Sequence, residues 1–177
     1  MQKSFAYILI VFGVVGLLAS SQLMWDTVKL AQDPGIDLPC NLSPFVSCTS
    51  INTSSQSKVF GFPNPIMGIA GFSAIITIGL LSLFGAIPDR RFWKIFTIGM
   101  TLATIFIHWL IIQSIFVIGN LCLYCMITWA AIWPIFIFTI SNFYPNSLVS
   151  KNKPAFLAGW YLLIILIILV KFREYFF

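Results

Sequence analysis

Five runs of about twenty apolar residues constrain this chain more than anything else in it. Twenty residues of helix rise roughly 30 Å, the thickness of a bilayer's hydrocarbon core. The runs lie at Phe5–Met24, Pro65–Ile87, Ile95–Ile118, Leu121–Ser141 and Ala155–Phe172. A transmembrane barrel would instead show alternating segments of about ten residues. Composition agrees, because 59% of the 177 residues are hydrophobic and only 8% are charged, against roughly 25% charged in soluble domains. The expected class is an all-α integral membrane protein with five crossings, a single domain over residues 1–177.

Basic residues set the orientation, since Lys and Arg collect on the inner side. With the N-terminus inside, the inner segments hold Lys3, Arg90, Arg91, Lys94, Lys151 and Lys153 against Asp89 alone. The outer segments hold Lys29, Lys58, Lys171 and Arg173, balanced by Asp26, Asp33, Asp37 and Glu174. The formal charge of +5 is therefore an orientation signal rather than a nucleic-acid surface.

The long connection Trp25–Asn64 then faces out, as does the tight turn Gly119–Leu121. Loops this long are usually functional or disordered. Leu38, Phe45, Val46, Ile51, Val59, Phe60 and Phe62 give this one apolar side chains to pack with. Its polar stretch Thr49–Ser57 reads either as a solvated loop or as a short helix capping the bundle over a pocket. Asn64-Pro65 closes it as a helix start, an Asn N-cap followed by Pro at the first helical position. The Asn64 amide also has N–H donors to offer a ligand.

All four cysteines fall on this outer side: Cys40 and Cys48 in the loop, Cys122 and Cys125 opening the fourth crossing. Disulfides persist in oxidising outer compartments. On a helix, residues three apart share a face about 4.5 Å apart along the axis, so Cys122 and Cys125 can pair. Cys122 is expected nearest water and nearest the helix's positive end, which favours thiolate. Cys125 is expected deeper. Trp129 shares their face, either as a packing residue or as the wall of a pocket for a flat ligand. Cys40 and Cys48 sit in a loop read as mobile enough to swing between partners. Exchange chemistry, a structural disulfide and a four-thiolate zinc site are the available readings. The last suffers because seven residues between Cys40 and Cys48 exceed the usual zinc-site spacing, so no metal is expected.

His108, the single histidine, lies mid-membrane in the third crossing with Gln113 beyond it. Intramembrane ionisable groups are functional candidates, and a neutral histidine bonding a neighbouring helix is the plainer reading. Phosphate loops, hydrolase triads and carboxylate pairs have no counterpart in these helices.

The order and spacing of Cys40-x₇-Cys48, the Ser/Thr-rich turn with Ser54, Phe60-Gly61-Phe62-Pro63-Asn64-Pro65-Ile66-Met67-Gly68 and Cys122-x-x-Cys125 resemble the vitamin K epoxide reductase family, over nearly the whole chain. The resemblance implies a four-helix transmembrane bundle around a quinone, an extracytoplasmic capping loop and a fifth transmembrane helix. It implies that Cys40 and Cys48 form the relay pair and Cys122 and Cys125 the quinone-side pair. Cys40 would exchange with a partner thiol, Cys48 with Cys122, and Cys125 would face the quinone. Asn64 aligns with the quinone-binding Asn, and Ser54 with the loop Ser/Thr near the active site. Trp129 stands where vertebrate members carry a quinone-binding Tyr, which counts against epoxide reduction.

The implied protein is a bacterial thiol oxidase of the inner membrane, active on the extracytoplasmic side. It would re-oxidise a separate DsbA- or thioredoxin-like protein with menaquinone or ubiquinone, since no fused thioredoxin domain follows. DsbB performs similar chemistry with its two cysteine motifs in the opposite order. Reduction of vitamin K or quinone epoxides, and a non-enzymatic membrane protein with structural disulfides, are the alternatives.

Overall fold

Each apolar run is a helix in the computed structural model, which describes residues 3–86 and 89–175. In order they are α1 (Lys3–Gln32), the short α2 (Cys48–Thr53), α3 (Pro65–Leu83), α4 (Arg90–Ile112), α5 (Leu123–Phe143), the short α6 (Leu148–Lys151) and α7 (Lys153–Lys171). A π-helical turn, Gln113–Ile118, prolongs α4. Among the described residues there is no β-strand, only two isolated bridges. Helix is forced because lipid offers the backbone no hydrogen-bond partner.

Two boundaries differ from the apolar runs. The helix α1 continues eight residues past Met24 to Gln32, which shortens the loop before α3 to residues 33–64. Asp26 and Thr27 in this extension point into protein rather than water: Asp26 is wholly buried and Thr27 donates to Asn52 Oδ1 at 3.2 Å. The helix α3 stops at Leu83, followed by a turn at Gly85 with φ 79°. The expected end at Ile87 lies outside the described residues.

The bundle is lopsided. The helix α1 packs tightly on α3 and α5, and α4 packs on α5, whereas α3 and α4 scarcely meet. Small residues permit the close approach of α1 and α3. A Cβ on Gly16 would run into the Phe72 ring, and one on Gly68 into Ser20. Phe5, Leu9, Phe72, Ile75, Met100 and Ile135 make the central core. Across the bundle α7 lies on α5, with Tyr161 Oη donating to Ala130 O at 2.7 Å. Trp160 Nε1 donates to His108 Nε2 at 2.8 Å, and His108 Nδ1 lies 2.8 Å from Thr104 O. Indole can only donate and a carbonyl can only accept, so His108 is the neutral Nδ1–H tautomer, bonding a neighbouring helix.

The C-terminal ends of α1 and α4, the starts of α3 and α5, and the loop 33–64 meet at one end of the bundle. There α2 and a 3₁₀ turn, Ser55–Lys58, lie across the gap between α3 and α4. Of the two readings of the Thr49–Ser57 stretch, the capping one is observed.

Candidate functional site

Two helices begin at cysteines. Ser47 caps α2 by accepting Ser50 N–H on its hydroxyl at 3.2 Å, which fixes Cys48 as the first helical residue. Gly119, at φ 71°, ends the π turn. Three residues on, Cys122 caps α5, its Sγ accepting Cys125 N–H at 3.4 Å. The backbone stitches these starts together, because Leu121 N donates to Phe45 O and Ser47 N donates to Leu121 O, both at 2.8 Å. Cys48 Sγ and Cys122 Sγ, 74 positions apart in the chain, thereby lie 3.4 Å from each other.

Cys40 and Cys48 are joined as a disulfide with Cα atoms 5.7 Å apart, while Cys122 and Cys125 are thiols. The expectation that Cys122 lies nearest water is corrected: the Phe45–Cys48 segment covers it, and Cys40, Cys48 and Cys122 are at most 1% exposed. The loop pair is not on a swinging arm here either. Phe45 stacks on Phe172 and contacts Tyr175 beyond α7, and the Asn41 amide clips the two cysteines' neighbours together. It donates to Asp37 Oδ1 (2.8 Å) and Thr49 Oγ1 (2.9 Å) and accepts from Ser47 Oγ (3.1 Å) and Thr49 N (3.3 Å).

The Cys122 thiol is pulled below its ordinary range, first by a hydrogen bond from the Cys125 thiol. Burial opposes this, the N–H groups of Cys125 and Tyr124 assist, and the Asp26 carboxylate opposes. The downward shift raises the share of thiolate, the attacking form in disulfide exchange.

Cys125 is partly buried and helps to line a cavity of about 700 Å³. The cavity occupies the gap between α3 and α4. It runs along α4 from Gln113 to Phe92, which at 1.5 Å per residue is roughly 30 Å. Most of its wall is apolar, from Phe72, Ile75, Ile78, Phe96 and Phe106 among others, and its polar groups gather at the capped end.

Ser54, Asn64 and Trp129 all line that cavity with Cys125. Ser54 ends α2 and its hydroxyl donates to Ile51 O at 2.7 Å. Trp129 is 4% exposed, and its indole N–H has no acceptor among the described residues. Asn64 precedes Pro65 at the start of α3 as expected, but the side-chain cap is absent. Its backbone is already helical, which turns the side chain away from the first turn. The amide instead donates to Gln56 O at 2.7 Å and accepts from Val59 N at 3.3 Å. One amide N–H remains for another partner.

The sequence profile of the vitamin K epoxide reductase family matches residues 7–140, well over half of the chain. The chain belongs to the vitamin K epoxide reductase family. A search of curated proteins found no match. As a family member it is a helical, multi-pass membrane oxidoreductase that acts on thiols with quinones.

The residues present suit a quinone. A flat polar ring with a long apolar tail matches a trough that is apolar along its length and polar at one end, with a thiol in the polar end. Within this family member, sequence reasoning left Gln56, Asn41 and Asp26 without a role. Gln56 lines the cavity and its Nε2 donates to Gln113 Oε1 at 3.4 Å. A Gln inside an apolar crossing was a visible signal for Gln113. Gln56 and Asn41 sit in an ordinary polar loop, where spacing alone distinguishes nothing.

Proposed function

We propose that this protein oxidises the thiols of an extracytoplasmic DsbA- or thioredoxin-like protein, and passes the electrons through Cys40/Cys48 and Cys122/Cys125 to a membrane quinone. The observation that carries this reading is the 3.4 Å approach of a disulfide sulfur, Cys48, to a free thiol, Cys122, whose partner Cys125 opens on the cavity. Positive charge on the inner side favours the cysteine end facing out, in a bacterial inner membrane.

The exchange sequence is conventional thiol chemistry. A partner thiolate attacks Cys40, the Cys40–Cys48 bond breaks, and Cys48 leaves as a thiolate. Cys48 attacks Cys122 of the oxidised helix pair, and Cys125 leaves. The partner's second thiol resolves its bond to Cys40. Cys40 then attacks Cys48, which restores the loop disulfide and releases Cys122. The structure's redox state, loop pair oxidised and helix pair reduced, is the product of that last step.

A quinone beside Cys125 supplies the two-electron, two-proton sink. Asn64 and Trp129 would offer N–H donors to a bound quinone, Ser54 would border it at the polar end of the trough, and the α3–α4 gap would take an apolar tail. A sink is required because a DsbA-like protein is itself a strong oxidant, near −120 mV. Placement in the membrane keeps the final acceptor away from soluble thiols.

The test is anaerobic mixing of the purified protein with a reduced thioredoxin-fold partner and a menaquinone or ubiquinone analogue, followed by quinone absorbance. Cys122→Ser and Cys125→Ser should each abolish quinone reduction. Retained turnover in both would reject the relay. Supplying a quinone epoxide in the same assay tests the reductase alternative.

A further inference from the structure

Resting on that relay, we propose that Asp26 is a catalytic residue, the general base that takes the proton of Cys40 when Cys40 attacks the Cys48–Cys122 bond, and the acid that returns it in the reverse direction. Asp26 is fully buried near the outer end of α1. Its Oδ2 lies 3.7 Å from Cys40 Sγ, and a carboxylate oxygen and both loop sulfurs fall within 4.8 Å of one another. Gln22 Nε2 donates to its other oxygen, Oδ1, at 3.1 Å and orients the group.

A buried carboxylate beside a redox-active sulfur needs a reason, since desolvating a charge is costly. Cys40 provides one. Cys40 is 1% exposed, so bulk water is kept from its proton, yet only the thiolate attacks. Proton transfer to Asp26 moves a negative charge already present in the site instead of creating a second one. The other titratable or charged groups acting on this position are Lys29 on α1 and Cys122 and Tyr124 at the start of α5.

The step balances. The Cys40 S–H bond breaks and its proton goes to Asp26 Oδ2. The sulfur's electron pair forms the Cys40–Cys48 bond. The Cys48–Cys122 bond breaks with its pair on Cys122, so Cys40 is oxidised and Cys122 is reduced.

The experiment first oxidises both cysteine pairs of the full chain in nanodiscs with a quinone analogue. It then follows the Cys48–Cys122 mixed disulfide by acid quench and alkylation after mixing with a reduced thioredoxin-fold protein, across the pH range where thiols titrate. With Asp26→Asn the mixed disulfide should still form but resolve about 100-fold more slowly at neutral pH, the lower end of general-base effects, and the deficit should shrink as pH rises. Resolution at the wild-type rate with the wild-type pH dependence overturns the proposal while leaving the relay intact. If no Cys48–Cys122 species forms even in wild type, the relay itself fails, and this role with it. Should Asp26→Asn not fold, Gln22→Leu decides the matter. Loss of the hydrogen bond to the carboxylate should move the pH limb upward, and an unmoved limb overturns the proposal.

Discussion

Asn41→Ala should make the loop disulfide easier to reduce. The Asn41 side chain makes four hydrogen bonds; the exposed one stays beside Cys40 on Asp37, and the three partly buried ones tie the Cys40 end of the loop to Ser47 and Thr49 at the Cys48 end. At the modest end of the net value for such bonds, about 0.7 kcal/mol each, the three partly buried ones stabilise the closed loop by about 2 kcal/mol. Closure holds the two sulfurs together and so favours the oxidised form. With 1.4 kcal/mol corresponding to about 30 mV for two electrons, losing all of it raises the Cys40/Cys48 potential by about 40 mV. Bonds that survive in the reduced loop lower that figure, so 40 mV is the upper end. The assay is a redox-buffer titration in a Cys122→Ser/Cys125→Ser background, which isolates the loop pair, scored by thiol alkylation. A potential that is unchanged, or more negative, would refute the idea that this network stabilises the disulfide.

Asn64→Ala should weaken quinone use more than partner exchange, raising the quinone KM about 5- to 10-fold for one hydrogen bond of about 1 kcal/mol; a larger loss in partner exchange would make Asn64 a cap-loop strut only. Gly16→Ala pushes a methyl into the Phe72 ring and should cost about 1–3 kcal/mol of stability, read as a lowered Tm in detergent. Because the Cys125 thiol is the first cause of the lowered Cys122 pKa, Cys125→Ala should raise it. In wild type the Cys122 thiolate persists until pH falls below that lowered value; in the variant it is lost at a higher pH. The pH profile for capture of Cys122 by the Cys40–Cys48 disulfide should therefore move up, and an unmoved profile would contradict the hydrogen-bond assignment.

Solvent physics made part of this protein readable in one dimension. A span must be apolar for about 20 residues because the hydrocarbon is about 30 Å thick, and each of the five runs is accordingly a membrane-length helix. Cysteine spacing and the Asn64-Pro65 start marked the thiol pairs and the beginning of α3, and Trp129, four residues beyond Cys125, does share the cavity with it.

Other properties depend on contacts between distant segments, which periodicity does not encode. Nothing around Asp26 in sequence separates a buried carboxylate from an exposed one; Cys40 packed against the C-terminal part of α1 does. The position of Cys122 beside a helix start suggested exposure, but the segment that buries it comes from 74 residues earlier. Asn64 had the right chemistry for a cap, and the 3₁₀ turn competed for its amide. The chain's own pattern thus determined what crosses the membrane and which atoms can exchange electrons. Folding alone decided which sulfur touches which, because a 3.4 Å contact is set by how the loop and two helix starts dock, not by any residue's neighbours in the chain.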